Sequence, residues 1–393
     1  MQWPSVLARR LARHHLLRPA PRTSLADVVG ALCGIHAQVM PSAELSLGLR
    51  IRGFTHEDLD DALWRRRELV KTYGIRGTVH LFPARELGLW LAALRAWTPR
   101  QQDPKRLAYI GMTEVQYERV VAAIGEAVAG RRLTREELGE EVALRVDRSV
   151  VERTVGAFGG QWKVWQAGIG TAALRGLVCF GPPDGARVTF VSPSDWIGSI
   201  NAPAADAAQR EVFRRYLAAY GPATEREFAQ WSATQPATVH ELVEALGDAI
   251  ERVDIEGTAA WQIAGDRAPA RTAPSTLLLP RFDCYVVGSH PRDVLIPPPV
   301  VARASATGLL RPRSGTGRAF LAGPMPVLVV DGAVAGIWES KRAARRIAIR
   351  VQPFARLDAS RRDALERAAL RVGEVFGVEA ELAIGAVTTR PHL

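Results

Sequence analysis

Apolar positions early in the chain recur at helical spacing, at Val6, Leu11 and Leu16 and again at Leu25, Val28, Val29 and Leu32, which predicts two amphipathic helices. A short helix is expected after Pro41 and Ser42. Another is expected from Thr55, where His56, Glu57 and Asp58 place acid in a first turn that the helix dipole favours. Residues 69–82 then change character. Their β-branched and aromatic side chains around Gly74 and Gly77 predict a pair of strands or a wing.

The same order recurs further on. Residues 120–128 are amphipathic, Thr134 and Glu137 have the spacing of a capping box that opens a second helix, and residues 164–174 offer a third. Apolar residues 177–180, a Gly-Pro-Pro-Asp-Gly turn at 181–185 and the run 187–191 predict a β-hairpin. Three helices and a hairpin make the order of a winged helix. A third copy runs from residue 213 through helices at 225–231 and 238–246 to strands at 250–255 and 259–263. Beyond Ser275 the pattern gives a strand-like run at 277–288, strands at 327–330 and 336–339 joined by a turn at Asp331 and Gly332, a strand at 347–351 and an amphipathic helix at 359–376. Residues 297–323, rich in Pro, Gly, Ser and Arg, read as an exposed, mobile loop or hairpin. The expected fold class is α+β, with tandem winged-helix (helix-turn-helix) units at 1–110, 111–200 and 201–270 and a β-rich module with a C-terminal helix at 271–393.

With 393 residues, 47% of them hydrophobic, the chain can fill two or three cores. No apolar run reaches the roughly 18 residues of a membrane span, and the first residues lack the uninterrupted apolar core of a signal peptide. A soluble, cytoplasmic (nucleoid-associated) protein with no membrane contact is expected. Cys33, Cys179 and Cys284 lie far apart with no metal-ligand spacing, so reduced, buried thiols are expected, with no metal and no cofactor. The net charge of +10 invites a polyanionic partner. Only Lys71, Lys105, Lys163 and Lys341 are lysines among 51 basic residues, so a coding preference for arginine is the other reading, and charge alone does not decide.

The most informative local feature is Gly34, Ile35, His36, Ala37, Gln38. Two hydrogen-bonding side chains stand two residues apart where the surroundings are apolar. In a helix they would point opposite ways, whereas in an extended segment they share a face. Gly34 before them and Pro41 after them favour the extended form, so His36 and Gln38 are expected to look into one cleft. The alternative is that they cap the preceding helix or bridge two units. Asp283, in an apolar run, is a second polar candidate, holding an arginine such as Arg281 or supporting cationic charge. Arg76, Arg281, Arg292, Arg311, Arg313 and Arg318 are candidate phosphate contacts, the last three on a loop that could follow a groove. His80 reads as a core histidine, His14 and His15 as surface residues beside Arg9, Arg10 and Arg13, and the tryptophans, Trp64, Trp90, Trp162 and Trp165 among them, as mostly core.

Residues 31–50, ALCGIHAQVMPSAELSLGLR, resemble the N-terminal signature of the AlkZ/YcaQ-like DNA glycosylases, whose catalytic motif is Gln-x-Gln or Gln-x-Asp. RGTVH at 76–80, AYGPAT at 219–224, LPRFD at 279–283 and VDGAVAGIW at 330–338 are similar to the family's other signatures, in the same order. The resemblance spans essentially the whole chain. It implies a concave DNA-binding surface built from the winged helices and the β-rich module, and excision of alkylated (N7-type) purines from double-stranded DNA, crosslinked ones included in some members. No lysine sits near the motif, so a Schiff-base step is not expected and the reaction reads as monofunctional hydrolysis, with no required protein partner evident. His36 stands where the family has its first glutamine, and Gln38 matches the second. An N7-alkylated purine is already cationic, so it leaves without prior protonation, and the enzyme's task is to place a water beneath C1′. A glutamine carbonyl holds such a water. A neutral histidine nitrogen can also take its proton. The competing reading is a winged-helix DNA-binding or regulatory protein without catalysis, with His36 as the mark of that loss.

Overall fold

The computed structural model describes residues 1–97, 103–157, 160–267, 274–309 and 317–388. Helices and strands are mixed in an α+β arrangement, and the chain divides into two compact units. One comprises Met1–Leu59, Phe213–Ala229 and Pro236–Leu393, the other Asp60–Val212 and Gln230–Gln235. Among the described residues no helix is long and apolar enough to cross a membrane.

The first unit centres on a five-stranded sheet in the order Thr276–Leu279, Val327–Val330, Ala333–Arg342, Arg346–Pro353, Glu379–Ile384. Its first four strands are antiparallel, and the last runs parallel to its neighbour. The turn expected at Asp331 and Gly332 is present, with φ of 49° and 88°, as an Asp-Gly hairpin turn requires. Parallel strands need a crossover connection, here the helix Ala359–Phe376, which buries Leu365, Ala369, Val372 and Val375. A Cβ added to Gly48 would collide with Val375, so glycine lets the helix Met40–Gly48 approach this crossover helix closely. Arg371 fastens the contact by donating to the carbonyls of Gly48 and Ile51.

The stretch expected to be a loop or hairpin at 297–323 instead contains two helices, Pro298–Ala306 and Gly317–Leu321. Proline at the first helical position loses no hydrogen bond and arrives with a helical φ, so Pro297 and Pro298 mark a helix start. The strand Glu379–Ile384 was not anticipated. It lies at the sheet edge with most of its residues exposed or half-exposed, so it carries little of the apolar signal that marks a strand.

The helices expected at 225–231 and 238–246 are present as Glu225–Ser232 and Pro236–Leu246, after a helix at Ala205–Tyr220, and the expected strands are the antiparallel pair Ile250–Ile255 and Thr258–Ile263. Trp261 exchanges both backbone bonds with Ala223, at 2.8 and 2.9 Å.

In the second unit, Leu69–Tyr73 and Val79–Pro83 pair as an antiparallel hairpin. Helix Glu114–Val128, strand Leu133–Thr134, helix Arg135–Ala143, helix Ala167–Leu174 and the hairpin Cys179–Asp184/Arg187–Val191 follow in order, with Leu133–Thr134 pairing to the last strand. The capping box of Thr134 and Glu137 is formed as read. The hairpin turn is tighter than expected. Strand pairing continues to Asp184 and Arg187 across a register irregularity that absorbs Pro182 and Pro183, since prolines are accommodated at bulges.

Candidate active site

The segment carrying His36 and Gln38 is pinned at both ends. Helix Leu25–Ala31 is closed by backbone bonds, from Cys33 N–H to the Gly30 carbonyl at 3.1 Å and from Gly34 N–H to the Val29 carbonyl at 2.9 Å. This is a Schellman closure, whose left-handed residue is usually glycine. Here Cys33 takes that position at φ 62° and Gly34 follows at φ 93°. At the other end Pro41 occupies the first turn of helix Met40–Gly48. Between them Ile35–His36 is extended. Ile35 and Ala37 are each 1% exposed and His36 9%, while Gln38 is exposed at the bend that follows the strand. The two apolar side chains enter the core, His36 lies at the margin of burial and Gln38 faces outward.

Beside His36 stands Phe282, its ring centroid 6.4 Å from the imidazole and tilted 31°. Phe282 has φ 59°, an uncommon conformation for a bulky residue. Asp283 follows it. The expectation of a strand here does not hold, because the strand ends at Leu279 and Asp283 is the N-cap of helix Cys284–Gly288, accepting from Tyr285 N–H at 2.9 Å. A short apolar run reads the same whether it is a strand or a buried helical turn. Arg50, rather than Arg281, holds the carboxylate, with Nη1 donating to Oδ2 at 2.8 Å and Nη2 to Oδ1 at 2.7 Å, and the Ser46 hydroxyl completes the set at 2.6 Å. Both charged side chains are 0% exposed. Burial alone would lower the Arg50 pKa, but the charge of Asp283, its hydrogen bonds and the nearby Cys284 and Tyr220 together outweigh burial and the value is raised. Arg50 therefore stays ionised.

The expectation of His14 on the surface is overturned. His14 is fully buried with Arg9 and Arg10, its ring edge-on to Tyr220 at 4.8 Å and to Tyr285 at 5.4 Å. Burial, then the charges of Arg50 and Arg10, hold its pKa well below the ordinary histidine value. Arg10 donates to the carbonyls of His290 and Pro222, Arg13 to that of Gly221, and Arg9 to the Gln262 side chain. The basic run of the first helix is therefore a set of structural staples, which the rule that clustered arginines face solvent cannot anticipate. The three cysteines are buried and free, as expected, and burial pushes the Cys284 thiol up to about 12.

In the second unit His80 is a core histidine, as read. Its Nδ1 lies 2.9 Å from the Thr78 carbonyl oxygen, and burial lowers its pKa to about 4. Trp90 and Trp165 are core residues, while Trp64 and Trp162 are only half-buried. Lys71, half-buried 4.9 Å from the Phe180 ring centroid, has its pKa lowered to about 8 by burial.

Of the candidate phosphate contacts, Arg76 is exposed at the turn of the Leu69–Tyr73/Val79–Pro83 hairpin, at φ 57°. Arg281 is half-buried one residue before Phe282. Arg292 donates to the carbonyls of Val286 and Val287, closing helix Cys284–Gly288. Arg318 is half-buried in helix Gly317–Leu321. Arg311 and Arg313 lie outside the described residues. Sequence reasoning missed Arg50, Ser46 and Phe282. A signal was available for the first two: Arg50 lies four residues beyond Ser46 at the end of a mostly apolar helix, and a charge in such a place needs a buried partner.

Among the described residues no group of three or more His, Cys, Asp or Glu side chains is placed to hold a metal ion. A family model described as DNA glycosylase AlkZ-like matches residues 29–375. The interstrand DNA cross-link repair glycosylase of Streptomyces sahachiroi is 33% identical over 347 residues, covering 86% of this chain and 87% of that protein. The structure of the Streptomyces sahachiroi DNA glycosylase AlkZ superposes with a TM-score of 0.80 at 28% identity, over 98% of this chain and 100% of that one. The chain belongs to the AlkZ-like DNA glycosylase family.

Proposed function

We propose that this protein is a monofunctional DNA glycosylase that hydrolyses the N-glycosidic bond of N7-alkylated purines in duplex DNA, bulky adducts and crosslinks included, and that winged-helix units present the DNA to it. The observation that carries the reading is the short span 35–38, fixed at both ends. Ile35 and Ala37 enter the core while Gln38 is exposed and His36 lies at the margin of burial, at the place where the sequence resemblance puts the family's catalytic pair. Gln38 holds the water through its carbonyl oxygen, and a neutral His36 nitrogen takes the water's proton as the oxygen bonds to C1′. The glycosidic electrons return to the cationic purine, which leaves neutral, and an abasic site remains. A protonated His36 can neither accept that proton nor tolerate the positive charge that grows on the sugar.

The test is incubation of pure protein with duplex containing N7-methylguanine, followed by cleavage at abasic sites. Strand breaks that vanish in Gln38→Ala are expected. Because His36 stands in place of a glutamine, the competing reading is a DNA-binding protein without catalysis. Tight binding with no product on several N7 lesions, a bulky adduct among them, would establish that reading instead. Arginines that touch phosphate should each lower the salt slope of binding by about one when replaced. A triple alanine variant at Arg311, Arg313 and Arg318 that binds duplex as wild type does would remove that segment from the DNA surface.

A further inference from the structure

We infer that Phe282 is a positioning residue for this chemistry: its ring is the wall that fixes the His36 imidazole, and the sealed Arg50–Asp283 pair holds that wall in place. The inference rests on the proposed role of His36.

The placement of Phe282 is over-determined. Its backbone is left-handed, where an aromatic side chain is sterically disfavoured, so neighbouring bonds must hold it there. On one side its N–H donates to the Gly323 carbonyl at 2.7 Å. On the other, Asp283 is fixed by the Tyr285 N–H, by Ser46 and by both Nη atoms of Arg50. A Cβ on Gly323 would meet the Phe282 ring in ordinary contact at 3.4 Å, so the ring lies alongside the Gly323 backbone to which its own N–H is bonded. His36 stands beside the ring, at a separation and tilt within the range of aromatic pairs. Both rings lie at the margin of burial, His36 at 9% exposure and Phe282 half-buried, so neither is an ordinary core contact.

The arrangement has a chemical use. A base that must take a proton from one water needs a fixed nitrogen direction, and small errors in such geometry cost large factors in rate. A glutamine in the first motif position reaches about as far through a planar amide that turns about three bonds. An imidazole is bulkier and rotates about two bonds, and a flat wall restricts that rotation.

Phe282→Gly is the informative variant, because glycine suits the left-handed backbone and the ring is removed without loading the fold. Phe282→Tyr is its conservative partner. Excision by Phe282→Gly should fall about tenfold in single-turnover rate with duplex affinity unchanged, and Phe282→Tyr should restore it. In a His36→Ala background, Phe282→Gly should cost nothing further, since the ring acts through His36. Independently of turnover, the His36 ring resonances, assigned by their loss in His36→Ala, should shift in Phe282→Gly as the neighbouring ring current disappears. Unchanged His36 resonances would overturn the inference, as would additive losses in the double variant. Should wild type excise nothing, the proposed function fails and the resonances alone decide this one.

Discussion

At the scale of single residues, the site combines one pair that was legible and one that was not. His36 and Gln38 stood out because polar groups two apart in an apolar segment have few structural uses, and the structure makes Ile35–His36 extended and sets Gln38 at the bend that follows. Arg50 and Asp283 were invisible as a pair because they lie 233 residues apart, and pairing across such distances is a property of the fold. Removing one partner leaves a buried charge uncompensated, so Arg50→Met should cost about 3–5 kcal/mol, read as a lower urea midpoint. A loss below about 1 kcal/mol would mean that water reaches the site. Buried histidines set the acid sensitivity of the fold. His80 has its pKa lowered to about 4 from an ordinary value of about 6.5, so below that ordinary value the unfolded chain takes up a proton that the folded one refuses. Stability is therefore full above it and declines as pH falls toward 4, by about 2 kcal/mol between pH 7 and pH 5. His14, also lowered, acts in the same direction. Urea titrations at the two pH values should show the difference, and a His80→Phe variant should show less of it. Equal midpoints in wild type would contradict burial of neutral imidazole.

At the scale of elements, most of the architecture could be read because local signals agreed with the tertiary result. The Thr134 capping box, the Asp331–Gly332 turn and the amphipathic Ala359–Phe376 helix are each specified within a few residues. The failures share a cause. A proline-rich stretch reads as loop unless its prolines fall at helix starts, as at Pro298, and Glu379–Ile384 exists as a strand only because a sheet edge is there to receive it. Close packing of elements is likewise unreadable from sequence. Gly48 permits helix Met40–Gly48 to touch Val375, and this helix begins two residues after Gln38. Gly48→Ala should therefore destabilise by about 1–3 kcal/mol, visible as a lower melting temperature. An unchanged melting temperature would show that Val375 yields without cost.

For the whole molecule, the net charge of +10 overstates what is available to a nucleic acid, because Arg9, Arg10, Arg13, Arg50 and Arg371 are spent on internal bonds. Composition counts these arginines alongside exposed ones such as Arg76, so it could indicate a polyanionic partner but not where contact occurs. In the proposed site Gln38 takes the family's second motif position and His36 its first, and the proposed chemistry turns on that difference. It is tested most directly by the pH dependence of single-turnover excision of N7-methylguanine, measured for wild type and for His36→Gln with duplex binding followed in parallel. Wild type should lose activity as His36 protonates, while His36→Gln should excise with no such acid limb. Equally flat profiles for both proteins, or binding without excision at any pH, would contradict the assignment of His36 as the base.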